Sequence, residues 1–318
     1  MAFGFETTAD EIIDAFRDSV SGKTFLITGP TPGGVGAETA ISLARANPNH
    51  LILAGRSKGK IQPLIDQIKQ EHPQVKVSFL QLDLSSLKSV RAAAEGVKPL
   101  LAGDKIAALI LNAAIMMCPY SLTEDGIESQ FATNHIGHFL FSNMLVQNDL
   151  IGSRIIAVSS LASERKPDYL FSKVNDVTWD GGKSYDPVAA YSLSKAANVL
   201  YVKRLARFLK PKGIAVFSLN PGSIRTNLQV HITDEMRTSA AKALLEENPD
   251  FKYPTPKSLQ QGAATQLRAA LDPSLANDSG AYLNDCQVKN SQLHAEAEPF
   301  EDRIWELSEK LVGEKFDF

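Results

Sequence analysis

The sequence contains little cysteine and almost no net charge, and each shortage excludes a class of protein. Its 318 residues include only two cysteines, Cys118 and Cys286, which lie far apart and cannot build a disulfide framework. This usage favours a reducing compartment. A formal net charge of −3 provides no general attraction to nucleic acid or to an anionic membrane, so neither is an expected partner.

Long hydrophobic runs are also missing. The longest apolar stretch, around Ile106–Met117, is shorter than a bilayer requires and is typical of a buried strand and its following loop. The first eleven residues lack the basic and then apolar pattern of a secretory signal. We therefore expect no membrane span and a cytoplasmic location.

The chain does contain an ordinary globular share of hydrophobic residues, 44%, arranged as short apolar runs between amphipathic stretches. The predicted strands are Thr24–Thr28, Leu51–Ala54, Val75–Leu80, Ile106–Leu111, Arg154–Ser159 and Ile214–Leu219. The predicted helices are Ala37–Ala46, Ile61–Glu71, Leu87–Val97, Glu128–Val146 and Ala189–Leu209. Because such alternation is typical of a covered parallel sheet, we predict a single-domain, doubly wound, Rossmann-like α/β fold with helices on both faces.

A glycine-rich turn follows the first strand. Residues 29–36 read Gly-Pro-Thr-Pro-Gly-Gly-Val-Gly and lead into a predicted helix. Glycines let the backbone approach a pyrophosphate, whose charge is favoured at the helix N-terminus. The alternative is an ordinary strand–helix corner. A P-loop is disfavoured because no Gly-Lys-Ser/Thr follows.

The end of the second strand predicts which nicotinamide cofactor would bind. An NAD site usually carries a carboxylate there for the ribose 2′-hydroxyl. This chain has Arg56 and Ser57 instead, with Lys58 and Lys60 close behind. A guanidinium beside a hydroxyl suits a 2′-phosphate, which favours NADP(H). The alternative is a solvated surface arginine.

Tyr191 and Lys195 lie one turn apart on one face of a predicted helix. A nearby ammonium favours the phenolate and would lower the tyrosine pKa towards a range useful for acid–base catalysis. Such a pair also occurs on ordinary surface helices. It gains weight because Ser159-Ser160 and Asn220-Pro221-Gly222 end the strands on either side, and open α/β sheets bind ligands at those ends.

In this order, the motifs resemble the short-chain dehydrogenase/reductase family from about Lys23 to Val312. The resemblance implies that Ser160, Tyr191 and Lys195 are catalytic and that Asn134 holds a water that relays protons. Ser160 is preferred over Ser159 because the family has a double-serine pattern. The cofactor-binding residues that the resemblance implies are Thr28, Gly29, Gly33, Gly34, Val35, Gly36, Arg56, Asp83, Leu84, Asn112, Ala113, Tyr191, Lys195, Pro221, Gly222, Ile224 and Thr226.

The sequence also departs from the family pattern. The turn between Gly29 and Gly36 is one residue longer than usual, so Gly33 and Gly34 compete for the place of the middle glycine. Within the family, the long gap between Ser160 and Tyr191 and the Trp305–Ser308 segment resemble the retinol-dehydrogenase-like branch. The glycine-rich turn is similar to fungal members of that branch, many of them metabolic or biosynthetic reductases.

The expected function is an NADP(H)-dependent oxidoreductase that transfers a hydride between NADPH and the carbonyl or alcohol of a hydrophobic small molecule, in the reductive direction. The alternatives are a same-fold isomerase or cyclase without net redox and a non-catalytic NADP(H)-binding regulator. No metal site is expected, because His135 and His138 have no partner acid or cysteine. A homodimer through the two long helices, as in many family members, is a further expectation that the chain's additions call into question.

The excess length divides into four additions around one domain. We predict an N-terminal helical extension at 1–22 and a domain at 23–318, with an insert at 161–187, a substrate lid at 222–257 and a C-terminal tail at 285–318. The insert carries four aromatic residues, Tyr169, Phe171, Trp179 and Tyr185, which either line a substrate pocket or pack the insert onto the body. Met116, Met117 and Leu228 are further candidates for the pocket wall.

Overall fold

The computed structural model describes residues 3–164, 176–247, 254–289, 293 and 298–318, so the predicted pocket residues Tyr169 and Phe171 lie outside the described part. A mostly parallel sheet organises the chain. Its strands are β1 (Thr24–Thr28), β2 (His50–Gly55), β3 (Lys76–Gln81), β4 (Ile106–Leu111), β5 (Ile151–Val158), β6 (Ala215–Asn220), β9 (Tyr282–Asn284) and β10 (Gln287–Val288), and β7 (Ser223–Ile224) pairs separately with β8 (Pro256–Lys257). The order across the sheet is β10-β9-β6-β5-β4-β1-β2-β3.

The connections between strands are mainly helical. The helices are α1 (Ala9–Ala15), α2 (Val35–Ala44), α3 (Lys58–Glu71), α4 (Leu87–Leu101), α5 (Ser129–Phe131), α6 (Gly137–Gln147), α7 (Pro187–Leu209), α8 (Asp234–Glu247), α9 (Leu259–Leu271) and α10 (Glu298–Val312). Along the described ranges, each helix is too short or too polar to cross a bilayer.

Two hydrophobic layers cover the two faces of the sheet. Leu26 of β1 points into a layer that includes α4, α6 and α7, whereas the neighbouring Ile27 points into a layer that includes α2, α3 and α9. Successive residues of a strand face opposite sides, so a strand buried on both faces is apolar throughout. The predicted doubly wound α/β fold is thereby confirmed.

Several features differ from the sequence prediction, and among them β7, β8, α8 and α10 were not predicted as elements. The helix predicted over Glu128–Val146 is interrupted by a π-helical turn at Ala132–Ile136. Hydrophobic periodicity does not reveal such a turn, which contains one residue more than an α-helical turn. Helix α9 and the short hairpin β9–β10 were not predicted, and β10 runs antiparallel to β9. Strands this short carry too few residues to show a period.

The two chain ends pack on opposite faces of the sheet. Helix α1 begins with a capping box formed by Thr8 and Glu11 and packs against α9 and α2 through Ile12 and Ile13. Helix α10 packs against α7, where Trp305 is buried against the rings of Tyr201 and Phe208 of α7. Both additions therefore pack onto the one domain.

Candidate active site

The carboxyl ends of the central strands open into one cleft of about 940 Å³. It lies where the strand order reverses, between β1 and β4, which is the usual ligand position in an open α/β sheet. The predicted site residues that line it are Thr28, Gly29, Gly34, Val35, Gly36, Arg56, Asp83, Leu84, Asn112, Ala113, Ser160, Tyr191, Lys195, Pro221, Gly222, Ile224 and Thr226. Two predicted residues, Gly33 and Asn134, do not line it.

The glycine-rich turn is packed closely enough to require glycine. Gly29 has φ of 66°, and a Cβ there would lie 2.7 Å from the Cβ of Ala113. A Cβ on Gly36 would collide with the side-chain amide of Asn112. Gly34 is the N-cap of α2 without any side-chain cap, so the first turn of the helix presents its backbone to the cleft. Gly33 also has a positive φ, 76°, but does not line the cleft.

Thr28 and Asn112 join the ends of β1 and β4. The Thr28 hydroxyl accepts hydrogen bonds from the backbone N–H groups of Asn112 and Ala113, each at 3.0 Å. The Asn112 amide donates to the Thr28 carbonyl at 3.0 Å. These bonds fix the floor of the cleft under the glycine-rich turn.

Basic groups surround the far end of the cleft, beyond β2. Arg56, Ser57 and Lys60 line it there, and the side chains of Arg56 and Lys60 are exposed. Among the described lining residues, Asp83 at the end of β3 contributes the one carboxylate, and it accepts hydrogen bonds from the backbone and hydroxyl of Ser85. This end of the cleft therefore carries two exposed basic side chains and one carboxylate.

Tyr191, Lys195 and Ser160 meet in the middle of the cleft. The ammonium of Lys195 lies 5.7 Å from the ring centre of Tyr191 and donates to the Val158 carbonyl at 2.9 Å. The Ser160 side chain interacts with the Tyr191 phenol and lowers its pKa. Tyr191 and Lys195 are both almost fully buried, so water contributes little to their solvation.

Burial sets the protonation of this pair. It raises the pKa of Tyr191 to about 12, opposed by the hydrogen bond with Ser160, and lowers the pKa of Lys195 to about 7. In the chain by itself, the tyrosine pKa thus shifts opposite to the sequence expectation, because desolvation of the phenolate outweighs the opposing interaction with Ser160. Tyr191 is consequently a neutral phenol at pH 7, with a proton to donate.

The two adjacent serines have different surroundings. Ser159 is 2% exposed and its hydroxyl donates to the Lys195 carbonyl at 2.7 Å, which ties β5 to α7. Ser160 lies in the cleft against Tyr191 and accepts from the Ala162 backbone at 3.2 Å. Both serines line the cleft, but the Ser159 proton is already used by the Lys195 carbonyl.

Asn134 lies behind the cleft, in the π-helical turn. Its side chain exchanges two hydrogen bonds with the backbone of Ile115, at 2.8 and 2.9 Å, and contacts the Ser194 hydroxyl at 3.0 Å. Its own carbonyl accepts from Asn198 at 3.1 Å. Asn134 therefore holds the loop after β4 against the helix layer.

The two described aromatic residues of the insert do not form the aromatic wall that was one of its two sequence interpretations. Trp179 and Tyr185 pack against each other at 5.7 Å, and neither lines the cleft. Tyr185 contacts Tyr120, which does line the cleft and was not predicted. These aromatic residues attach the insert to the body, because a large ring gains more from a closed interface than from a solvent-filled cleft.

The apolar part of the wall comes from the loops after β4, β5 and β6. Its members include Met116, Tyr120, Leu161 and Leu228. Met117, a sequence candidate, is turned away: it has φ of 52°, and its backbone N–H donates to Gln130 at 2.8 Å. No periodic pattern marks Tyr120 or Leu161, since the first lies on a loop and the second begins a four-residue 3-10 helix.

The candidate histidines are buried within the helix layer. Burial lowers the pKa of His135 to about 4 and that of His138 to about 3, so both are neutral at pH 7. Within the described residues, no group of three His, Cys, Asp or Glu side chains could hold a metal ion.

A mostly parallel sheet with a cleft at its switch point, beside a glycine-rich turn, defines the doubly wound α/β class, whose members bind ligands at that point. The model of the short chain dehydrogenase family matches residues 23–172 and 174–237. The chain belongs to the short-chain dehydrogenase family.

Several relatives cover nearly the whole chain. It is 36% identical to the short-chain dehydrogenase TIC 32 B, chloroplastic, of Brassica napus, over 98% of this chain and 94% of that protein. It is 37% identical to human retinol dehydrogenase 13, over 93% of this chain and 86% of that protein. These likenesses support an oxidoreductase acting on an alcohol or carbonyl.

Solved structures show the same fold. An uncharacterized protein from Mycobacterium paratuberculosis superimposes with a TM-score of 0.69 at 31% identity, covering 94% of this chain and 96% of that one. The NADPH-bound carbonyl reductase from chicken fatty liver gives a TM-score of 0.58 at 22% identity, covering 85% and 98%.

Proposed function

We propose that this protein is an NADP(H)-dependent carbonyl reductase of the short-chain type. The observation that carries the proposal is that one cleft joins the Tyr191–Lys195–Ser160 cluster to the basic groups at Arg56, across an uncapped helix N-terminus. The cluster suits proton transfer to a substrate oxygen, and the basic end suits a phosphorylated cofactor. Neither group alone specifies the reaction.

The residues present fit a dinucleotide. The first turn of α2 has no side-chain cap, and Gly29 and Gly36 leave no room for a Cβ, so the backbone can approach a pyrophosphate. Arg56, with Ser57 and Lys60, would hold a 2′-phosphate, while no carboxylate stands at the end of β2 to bind a free 2′-hydroxyl. These features support NADP(H) over NAD(H). Of the two competing glycines, Gly34 is the one we assign to the cofactor.

When bound, the nicotinamide supplies or accepts the hydride, and the chain supplies binding, orientation and the proton. Tyr191 donates its phenolic proton to the oxygen of the substrate carbonyl. Ser160 donates a hydrogen bond to the same oxygen, which stabilises the charge that develops there. Lys195 places a positive charge beside the phenol and favours the phenolate that the step leaves behind.

The protonation of the pair supports the reductive direction. A reductase needs a neutral phenol before the chemical step, and the raised pKa of Tyr191 keeps the proton on it at pH 7. A dehydrogenase would need the phenolate first, and burial opposes that form. Asn134 acts in this scheme as a positioning residue behind Tyr191 and Lys195.

The substrate class follows from the cleft wall. Met116, Leu161 and Leu228 offer apolar surface beside the reacting groups, which favours a hydrophobic carbonyl compound. The kinship with fungal metabolic reductases and a cytoplasmic location stay predictions from the sequence. A homodimer through α6 and α7 is disfavoured in this proposal, because α10 packs along α7.

The test is NADPH oxidation against a panel of aliphatic and aromatic aldehydes and ketones, with the alcohol product measured by mass spectrometry. We expect equal amounts of oxidised cofactor and alcohol with at least one hydrophobic member. Product rearranged without cofactor consumption would instead indicate an isomerase or cyclase. Tight NADPH binding without turnover across the panel would indicate a regulator.

A further inference from the structure

A chain of buried polar side chains connects the C-terminal helix to the lysine of the proposed active site. It runs from Ser308 on α10 through His135 in the π-helical turn to Asn198 on α7. All three side chains are nearly or fully buried, so each depends on its neighbours for hydrogen bonds. We propose that Ser308, His135 and Asn198 are positioning residues for Lys195, and this inference rests on the proposed function.

Asn198 is the member nearest to the site. Its side-chain N–H₂ donates to the Asn134 carbonyl at 3.1 Å and to the Val158 carbonyl at 3.4 Å. The Val158 carbonyl also accepts the ammonium of Lys195 at 2.9 Å. Asn198 thus shares an acceptor with Lys195 and fixes the position of that acceptor.

The orientation of the Asn198 amide depends on His135. Because its nitrogen is occupied by two carbonyls, its oxygen needs a donor, and His135 Nδ1 lies 3.1 Å away. Neutral His135 therefore carries its proton on Nδ1, as the network requires. A flipped amide would place an oxygen against two carbonyl oxygens, which is unfavourable.

Ser308 completes the chain by fixing the histidine tautomer. Its hydroxyl lies 2.8 Å from His135 Nε2, and it is the donor available to that nitrogen. The hydroxyl has one proton and a second acceptor, the Ile304 carbonyl one turn back at 2.7 Å. Because Nδ1 must donate to the Asn198 oxygen, the proposal assigns the Ser308 proton to Nε2. With Nε2 accepting from Ser308, Nδ1 keeps the proton that Asn198 requires.

The titratable groups that face Lys195 are Tyr191, at 5.7 Å from its ring centre, and His138, whose imidazole interacts with the ammonium. If Asn198 no longer donates to the Val158 carbonyl, that carbonyl becomes a stronger hydrogen-bond acceptor for the Lys195 ammonium. The ammonium form is then favoured, so the midpoint of Lys195 ionisation should move upward.

Two substitutions at one position separate the positioning role from simple packing. The His135 ring packs against Phe131, Phe139 and Tyr201, and both His135→Asn and His135→Gln remove that ring. Asparagine places an amide donor where Nδ1 stands, whereas glutamine places it where Nε2 stands. Both variants should lose stability similarly, but only His135→Asn keeps a donor for Asn198.

We expect His135→Gln to lower kcat about tenfold or more, with little change in the substrate KM, and His135→Asn to stay within about threefold of the wild type. Trace labelling of Lys195 with an amine reagent across pH, read by mass spectrometry, gives its ionisation without any turnover. The midpoint should lie near pH 7 in the wild type and in His135→Asn, and higher in His135→Gln. Equal kcat values and equal midpoints in the two variants would overturn the proposal.

A milder pair serves if the His135 variants unfold. Ser308 and Ser142 are both fully buried, and each lies close to the carbonyl four residues before it and to one ring partner, His135 for Ser308 and Tyr201 for Ser142. Ser308→Ala should lower kcat and raise the Lys195 midpoint, and Ser142→Ala should do neither. A Ser308→Ala variant with the wild-type kcat and the wild-type Lys195 midpoint would overturn the proposal. If the wild type turned over no carbonyl, the labelling midpoints would still decide it.

Discussion

Arg56→Ala tests the cofactor assignment. The Arg56 guanidinium stands at the end of β2, where the described lining residues place no carboxylate. A charge-assisted hydrogen bond to a phosphate is worth about 1.5–3 kcal/mol. Because Arg56 is exposed, we take the lower part of that range, about 1.5–2 kcal/mol, which corresponds to about 10- to 30-fold in affinity.

The assay is a fluorescence titration of wild type and variant with NADPH and with NADH at one ionic strength. We expect Arg56→Ala to weaken NADPH binding about 10- to 30-fold and NADH binding less than about threefold. Lys58→Ala is the matched control, because Lys58 is an exposed base on the same segment but does not line the cleft. An equal loss for both cofactors, or an equal effect of the control, would refute the 2′-phosphate role.

Three further predictions address the site and the tail. In steady-state kinetics, Ser160→Ala should lower kcat about 100-fold and Ser159→Ala should change it little. In urea unfolding, Ser159→Ala should lose about 1 kcal/mol of stability. The reverse pattern would mean that the two serines have each other's role. Burial lowers the pKa of Lys195 from its ordinary 10.5 to about 7, so between those values the unfolded chain binds the proton more strongly and stability rises with pH. Relative to Lys195→Met, the wild type should gain about 2 kcal/mol of unfolding free energy between pH 7 and 9, and a constant difference would contradict the shift. Trp305→Ala should lower the free energy of unfolding in urea by about 3–5 kcal/mol, because Trp305 is buried. The control Glu306→Ala, at an exposed position of the same helix, should lower it by less than about 0.5 kcal/mol. Small losses in both variants would mean that α10 contributes little to stability.

Local spacing was enough to find the part of the site that each element builds alone. Tyr191 and Lys195 share a face because they are four residues apart on one helix, and Arg56 could be placed because it directly follows a strand. The glycine-rich turn was equally visible, since its residues are consecutive. The doubly wound fold class follows from the alternation of apolar runs and helices.

Other features depend on contacts between distant residues and leave no local pattern. Which of Gly33 and Gly34 faces the cleft depends on the backbone conformation of the turn, and the sequence does not specify that conformation. Ser308 and His135 are 173 residues apart in the sequence, so their contact can be identified only in the folded structure. The opposing pKa shifts of Tyr191 and Lys195 arise from burial, which a helical spacing does not predict.

The insert illustrates the same limit. Its aromatic composition allowed either a pocket wall or a packed attachment, and Trp179 and Tyr185 adopt the second. The wall residue that composition could not identify, Tyr120, lies in the loop after β4. Aromatic content alone does not tell which side of an insert faces the ligand.

The most direct test of the central claim is single-turnover reduction of an accepted carbonyl substrate by Tyr191→Phe loaded with NADPH. The substitution removes the proton donor but keeps the ring that Lys195 faces. We predict that NADPH binds within about threefold of the wild-type affinity while the rate of NADPH oxidation falls at least about 100-fold. Oxidation at the wild-type rate would contradict Tyr191 as the proton donor and with it the proposed reaction.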